Sequence, residues 1–221
     1  MKTQDLNYDL PQKLIAQHPA DMRSNSKLLV YNRSKNSIQD KHFSDITRCL
    51  NPSDCLVLND TKVLQARFYA KRKSGANLEG LFLKTQNKNE WLVMLKGLRK
   101  VKINEQILLN SNTHPNKTPF TAALKEKLTQ GKCIITINSD LTHEKILEQI
   151  GFPPLPPYIK RTNDPAQAIK DKNRYQTVYA RKSGAVAAPT ARLHFTNQLI
   201  DHLKNQNIKF AYITLHVGAG T

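Results

Sequence analysis

The sequence predicts a mixed α+β chain: an α/β barrel-like main domain, residues 1–66 and 151–221, interrupted by a small antiparallel β-barrel domain at residues 67–150. Three observations predict it. Cys55-Leu-Val-Leu58 is a short, continuously apolar run of the kind that forms a buried strand, and it stops at Asn59-Asp-Thr61. From Arg67 to about Asp140, short apolar runs alternate with polar turns such as Thr85-Gln-Asn-Lys-Asn89, the texture of a small β-barrel or sandwich. Beyond residue 150 the α/β texture returns, with a helical pattern over residues 196–206 feeding a strand over residues 208–217.

Taken in order, Asp9-Leu-Pro-Gln-Lys-Leu-Ile-Ala-Gln17 reads as a short helix with Pro11 in its first turn. Leu28-Leu-Val-Tyr31 and Ile38-Gln-Asp-Lys-His-Phe43 read as a hairpin around Ser34-Lys-Asn-Ser37. Ser44 is placed to cap a brief helix to Leu50, and Asn51-Pro-Ser-Asp54 turns into the strand at Cys55. Asn59-Asp-Thr61 has two readings: α/β folds place ligand contacts at the ends of buried strands, and the same residues favour an Asx-turn. The strands of the inserted domain are Leu78-Glu-Gly-Leu-Phe-Leu83, Trp91-Leu-Val-Met-Leu95, Gln106-Ile-Leu-Leu109 and Cys133-Ile-Ile-Thr-Ile137. Its basic clusters, Lys71-Arg-Lys73 and Arg99-Lys-Val-Lys102, fall on turns, either solvated or touching phosphates.

Residues 141–150 read as a short helix. Gly151-Phe-Pro-Pro-Leu-Pro-Pro-Tyr158 cannot be helix interior, and its interleaved Phe152, Leu155 and Tyr158 point to a packed wall rather than a linker. Arg174-Tyr-Gln-Thr-Val-Tyr179 offers an Arg and aromatic face that stacks on bases, or a buried strand with Tyr175 and Tyr179 on one face. Gly184-Ala-Val-Ala-Ala-Pro-Thr-Ala-Arg-Leu-His-Phe-Thr196 joins small residues, which let backbone approach a ligand, to Thr190, His194 and Thr196. Thr196 is positioned as the N-cap of the following helix, whose N-terminus favours negative charge. The last strand ends in Gly218-Ala-Gly-Thr221. A strand and glycine-rich turn normally lead into a further element, so the chain is expected to be cut short.

Composition narrows the class. The net charge is +17, which suits a polyanion and makes nucleic acid the leading partner. Only ten of the 34 basic residues are Arg, and a Lys-heavy, Asn-rich chain also reflects genome composition. No apolar run approaches the ~18 residues of a membrane span, and the first nine residues lack the apolar core of a secretory leader. Cys49, Cys55 and Cys133 are odd in number without CxxC spacing, which predicts reduced thiols in a cytoplasmic protein and argues against a disulfide framework or a structural metal site.

The ordered set Tyr8-Asp-Leu-Pro11 with Leu14-Ile-Ala-Gln17, Leu58-Asn-Asp-Thr61 with Ala66-Arg67, Pro154-Leu-Pro-Pro-Tyr-Ile159, Arg174-Tyr-Gln-Thr-Val-Tyr179, Gly184-Ala-Val-Ala-Ala-Pro-Thr190, Leu193-His-Phe-Thr196 and Thr214-Leu-His-Val-Gly-Ala-Gly-Thr221 resembles one family. It is the S-adenosylmethionine:tRNA ribosyltransferase-isomerases of queuosine biosynthesis. The resemblance spans residues 8–221 and is looser across the inserted domain. It implies transfer and isomerisation of the ribosyl part of S-adenosylmethionine onto the 7-aminomethyl-7-deazaguanine wobble base of tRNA. The product is epoxyqueuosine, and adenine and methionine leave. S-adenosylmethionine is then a ribosyl-donor substrate, tRNA the partner, and no metal or membrane takes part; the protein is expected to be a monomer.

That chemistry asks for groups that give and take protons near neutral pH, a task suited to histidine. The catalytic candidates are His194, His216 and Asp60. The substrate-binding candidates are Asn59, Thr61, Arg67, Tyr158, Arg174, Tyr175, Gln176, Thr190, Thr196, Gly218, Gly220 and Thr221. The chain departs from the family at Arg192, where glycine is commonplace; a required positive φ or close ligand approach there implies strain or a blocked site. Family members also continue beyond the Val-Gly-Ala-Gly-Thr motif. The competing classes are a non-catalytic basic RNA-binding module and an inactive truncated fragment.

Overall fold

The computed structural model describes residues 2–110, 119–161, 165–187 and 190–219. Residues 2–26 hold only short 3-10 turns, at Thr3–Leu6, Gln12–Leu14 and Arg23–Asn25. The helix expected over residues 9–17 is thus reduced to Gln12–Leu14, starting after Pro11. Its residues are exposed, and a short helix that buries no apolar face is marginal. The expected hairpin forms from β1 (Lys27–Asn32) and β2 (Ser37–His42), with Lys27 opposite His42 and Asn36 at φ 46° in the turn. The next turn, Phe43–Arg48, begins at His42 rather than Ser44, because Asp45 Oδ2 reaches back 3.0 Å to the His42 N–H while Phe43 is buried.

β3 (Cys55–Asn59) and β4 (Thr61–Val63) follow. β3 is not buried on both faces as expected: Leu58 faces the core and Val57 is 59% exposed. Its ladder has a single partner strand, and one face meets the core.

Six strands then close into an antiparallel barrel: β5 (Arg67–Arg72), β6 (Asn77–Asn87), β7 (Glu90–Lys96), β8 (Gln106–Leu109), β9 (Phe120–Lys127) and β10 (Lys132–Ile137). Their order is β5-β6-β7-β10-β9-β8, and Ala70 opposite Leu109 returns β8 to β5. Closure decides for a barrel over a sandwich. Phe68, Trp91, Val93, Ile107, Leu124 and Ile135 fill the interior, and the Phe82 and Trp91 rings meet edge to face at 5.0 Å. A side chain on Gly80 would collide with the Phe68 ring. Arg72 grips Glu105 with both ends of its fork, at 2.6 and 2.9 Å, beside the β5–β8 closure.

α1 (His143–Ile150), capped by the Thr142 hydroxyl, buries Ile146, Leu147 and Ile150 in the barrel core. β11 (Gly151–Phe152) pairs with Phe68 and Arg67, so one edge of β5 is shared between β8 and β11. Pro153 and Pro154 are buried after it and Phe152 and Leu155 are half-buried, whereas Tyr158 is 50% exposed, so the packed wall expected from the interleaved apolar residues holds over residues 152–155 and not at Tyr158. α2 (Pro165–Arg174) leads into turns rather than a strand over residues 174–179. Tyr175 N–H bonds the Asp171 carbonyl, and Asp171 is itself held by both ends of the Arg161 fork, at 2.8 and 3.2 Å. The chain is tied into a turn where extended pairing would otherwise form.

β12 (Lys182–Ala185) runs parallel to β4. α3 (Asn197–Asn205) starts at Thr196, whose hydroxyl accepts the Leu199 N–H at 3.1 Å, the expected cap. β13 (Lys209–Ile213) runs parallel to β3. A second core of Phe43, Leu58, Tyr179, Phe195, Leu199, Ile200, Leu203 and Ile208 joins these elements. The fold is mixed α+β: a closed antiparallel barrel beside two parallel strand pairs carrying few helices.

Candidate functional site

Asn59-Asp60-Thr61 is the point where the chain changes partners. Before it β3 pairs with β13; after it β4 pairs with β12. The Asp60 N–H donates to the Ile213 carbonyl at 2.9 Å, and the Asp60 carbonyl accepts from the Arg181 and Lys182 N–H groups at 2.7 and 3.3 Å. The Asn59 carboxamide continues the β3–β13 ladder with its side chain. It accepts the Leu215 N–H at 3.0 Å and donates to the Leu215 carbonyl at 2.9 Å, while the same oxygen accepts the Thr61 N–H at 3.1 Å. Asp60 is buried and accepts the Thr214 hydroxyl at 2.7 Å. These bonds hold residues 214–216 extended beyond β13 and deliver His216 to Thr61. Ligand contacts in α/β folds gather where strand partners change.

The His216 Nδ1 lies 2.8 Å from the Thr61 hydroxyl oxygen, which also lies 3.2 Å from the Lys182 carbonyl. A carbonyl only accepts, and a hydroxyl has one proton. Thr61 therefore donates to Lys182 and accepts from His216, which assigns the proton to Nδ1 and leaves a lone pair on Nε2. The ring rests on Gly184, where a Cβ would stand 2.5 Å from Nδ1 and Cε1. His216 is exposed, and this tautomer leaves Nε2 as an oriented hydrogen-bond acceptor.

Arg192 enters the same junction. It lies in the 3-10 turn Thr190–His194 and is absent from the positive-φ residues, so the backbone strain considered from sequence is not present. Its side chain is buried, donating Nη1 to the Asn59 carbonyl at 2.5 Å. Desolvation lowers its pKa, and Tyr179 and Asp60 pull the other way. Burial pushes the Tyr179 phenol up to about 12.

His194 belongs to a different neighbourhood. Its ring is tilted 5.2 Å from Phe43, and burial together with the Arg174 and Arg23 charges lowers its pKa, so it is neutral at pH 7. Arg23, which the sequence did not single out, donates to the Leu193 and Asn173 carbonyls, each at 2.8 Å, and Arg174 donates to the Ala20 carbonyl at 2.6 Å. The structure brings His216, Asn59, Asp60 and Thr61 together, and sets His194 with Arg174 and Arg23.

Arg67, Tyr158 and Thr190 line a groove of about 1100 Å³ between the barrel surface and the proline wall, with Glu79, Met94 and Ala219. Arg67 pairs with Glu79 at 2.6 Å. Gln17 tethers the N-terminal segment to that wall, donating to the Tyr158 carbonyl at 3.1 Å and accepting the Lys160 N–H at 2.8 Å. Gln176 is engaged with both backbone groups of Val63, each at 3.0 Å, where it borders β4 like a further strand. With Tyr175 it lines a smaller cavity of about 390 Å³. The Thr196 hydroxyl caps α3. Gly218 lies past His216, with open space where a side chain would stand; Gly220 and Thr221 fall outside the described residues. Of the basic clusters, Arg72 is committed to Glu105. Among the described residues no group of three or more His, Cys, Asp or Glu is placed to hold a metal ion, and no helix is long and apolar enough to cross a membrane.

An α+β protein with an oriented histidine at a strand-switch junction, and with a broad groove whose lining includes Lys96 and Lys160, is the class this arrangement defines. The sequence matches the family described as queuosine biosynthesis protein over residues 3–221, and the chain belongs to that family. It is 40% identical over 222 residues to the S-adenosylmethionine:tRNA ribosyltransferase-isomerase of Caldanaerobacter subterraneus subsp. tengcongensis and 41% identical to that of Staphylococcus haemolyticus. Each comparison covers 100% of this chain and 62% of the relative, so the chain spans under two thirds of their length. A crystal structure of S-adenosylmethionine tRNA ribosyltransferase from Thermotoga maritima shares 27% identity, covering 95% of this chain and 57% of the other, with a TM-score of 0.36. The family assignment rests on the sequence matches.

Proposed function

We propose that this chain carries the substrate-binding and proton-transferring part of a tRNA ribosyltransferase-isomerase acting in the cytoplasm as a monomer. S-adenosylmethionine supplies the ribosyl group, and the acceptor is the aminomethyl group of 7-aminomethyl-7-deazaguanine in tRNA. The observation that carries this reading is the Lys182 carbonyl–Thr61–His216 chain, which leaves Nε2 as a base in a chain 40% identical to enzymes of that name. His216 removes the proton next to the sulfonium, and the neutral His194 serves a second proton transfer. Asp60, Asn59 and Thr61 shape the junction that receives the ribose, with Gly218, Gly220 and Thr221 supplying backbone contacts beyond His216. Arg67, Tyr158 and Thr190 form the groove for the nucleotide, Tyr175 and Gln176 line the smaller cavity as a second contact surface, and Arg174 and Thr196 hold the backbone at Ala20 and at the start of α3. The barrel of residues 67–150 is an inserted domain that widens the basic surface offered to tRNA, and residues 1–66 and 151–221 form the main domain.

The test is to incubate the chain with S-adenosylmethionine and tRNA bearing the modified base and to quantify free adenine. Adenine release that disappears with His216→Gln supports the reading. Tight tRNA binding without release, and without a calorimetric response to S-adenosylmethionine, assigns the chain to the RNA-binding class instead.

A further inference from the structure

Arg192 is 8% exposed and forms no ion pair among the described residues. Nη1 is spent on the Asn59 carbonyl, while Nε and Nη2 are buried with no hydrogen-bond partner. These two nitrogens form one edge of the guanidinium, the edge whose parallel N–H groups match two oxygens of an anion. The same protein uses this edge twice on carboxylates. Arg72 holds Glu105 through Nε at 2.6 Å and Nη2 at 2.9 Å, and Arg161 holds Asp171 through Nε at 2.8 Å and Nη2 at 3.2 Å. The Tyr179 hydroxyl, which interacts electrostatically with Arg192, is also buried without a partner. Asp60 bonds Thr214 rather than the guanidinium.

Buried donors are nearly always satisfied, and three left together at one junction mark the place of an acceptor group. Thr190, two residues before Arg192, lines the large groove, and Asn59 ties Arg192 to the strand switch. We propose that the Nε–Nη2 edge of Arg192 receives the carboxylate of an amino-acid-bearing nucleoside substrate, with the Tyr179 hydroxyl as an additional donor. This rests on the function proposed above and names the group that anchors the methionyl end of S-adenosylmethionine. The anchor leaves the sulfonium and ribose free to face the junction at Asn59-Asp60-Thr61.

The experiment is calorimetric titration of the 221-residue chain with S-adenosylmethionine and with decarboxylated S-adenosylmethionine, for the unsubstituted protein, Arg192→Gln and Arg192→Lys. The unsubstituted protein is expected to prefer the carboxylated ligand by roughly 10- to 100-fold, the value of a charge-assisted pair. Arg192→Lys keeps the charge and loses the fork, so the preference is expected to collapse while affinity for the decarboxylated ligand stays level. The comparison of two ligands on the unsubstituted protein stands even where a variant fails to fold. Equal affinity for both ligands overturns the assignment and leaves the parent reading intact. Tighter binding of S-adenosylmethionine by Arg192→Gln overturns it too, and makes Arg192 an occupant of the ligand's space. Loss of tRNA-stem binding in Arg192→Gln with the preference unchanged assigns the fork to a phosphate and overturns it. Silence toward both nucleosides removes the parent reading and this inference together.

Discussion

Gly184→Ala is expected to unseat His216 while leaving the chain folded. The added Cβ stands 2.5 Å from Nδ1 and Cε1 and 2.7 Å from Nε2, whereas 3.4–4 Å is ordinary contact. The ring must retreat by roughly 1 Å, and its 2.8 Å contact with Thr61 then leaves hydrogen-bonding range. Misplacing a reacting group by about 1 Å costs on the order of 100-fold in rate. The backbone at φ +153° adds strain of about 1–3 kcal/mol, a fall of a few degrees in melting temperature for a chain of this size. The first assay is long-range proton–nitrogen correlation of the imidazoles, in which the parent shows His216 protonated at Nδ1 and the variant a mixture of tautomers. Adenine release measured on both proteins gives the rate. An unchanged Nδ1–H signal together with an unchanged rate would refute the reasoning, because it would mean that neither Gly184 nor Thr61 positions the ring.

Glu105, held down to about 2 chiefly by its Arg72 hydrogen bond, stabilises the folded state fully above the ordinary carboxylate value of 4.5. That contribution fades as pH falls from there toward 2, so urea midpoints of the parent and Glu105→Gln should differ at pH 7 and converge near pH 2. His194 is shifted the other way for a base: its folded pKa is lowered, so protons bind the unfolded chain more readily. Stability should fall as pH drops below about 6.5, its ordinary value, and His194→Gln should flatten that slope in melts recorded between pH 5 and 8. Thr196→Ala should cost about 1 kcal/mol of stability through the lost α3 cap. If adenine release by that variant falls out of proportion to its folded fraction, Thr196 also touches substrate.

The parts that sequence alone made legible are those in which local chemistry and burial agree. Thr196 caps α3 because a hydroxyl before a periodic apolar run has few better uses, and the hairpin of β1 and β2 follows from alternating residues around polar turn formers. Four barrel strands were readable because their inward faces are large and apolar. β5 and β9 were not, because their inward pairs, Phe68 with Ala70 and Ala122 with Leu124, are half alanine and are flanked by Arg67, Lys71 and Lys125. The helix expected over residues 9–17 failed for want of an apolar face to pack. α2 and the Arg161–Asp171 pair left no signal, since a single contact between residues ten apart in sequence has no period.

At the site, the sequence by itself named His216, Asn59, Asp60 and Thr61, through residue types suited to ligands and through resemblance to a family. It also marked Arg192 as the residue out of pattern. Tertiary structure alone decided that His216 and Thr61 meet, across 155 positions of chain, and that the hydroxyl's second contact fixes the imidazole proton. It decided that His194 sits in a separate arginine-rich neighbourhood. It also replaced the expected strain at Arg192 with a buried fork whose edge has no acceptor. The physical reason is common to all three. Residue types set what a group can donate or accept, and only the pairing of β3 with β13 and β4 with β12 sets which partner it finds.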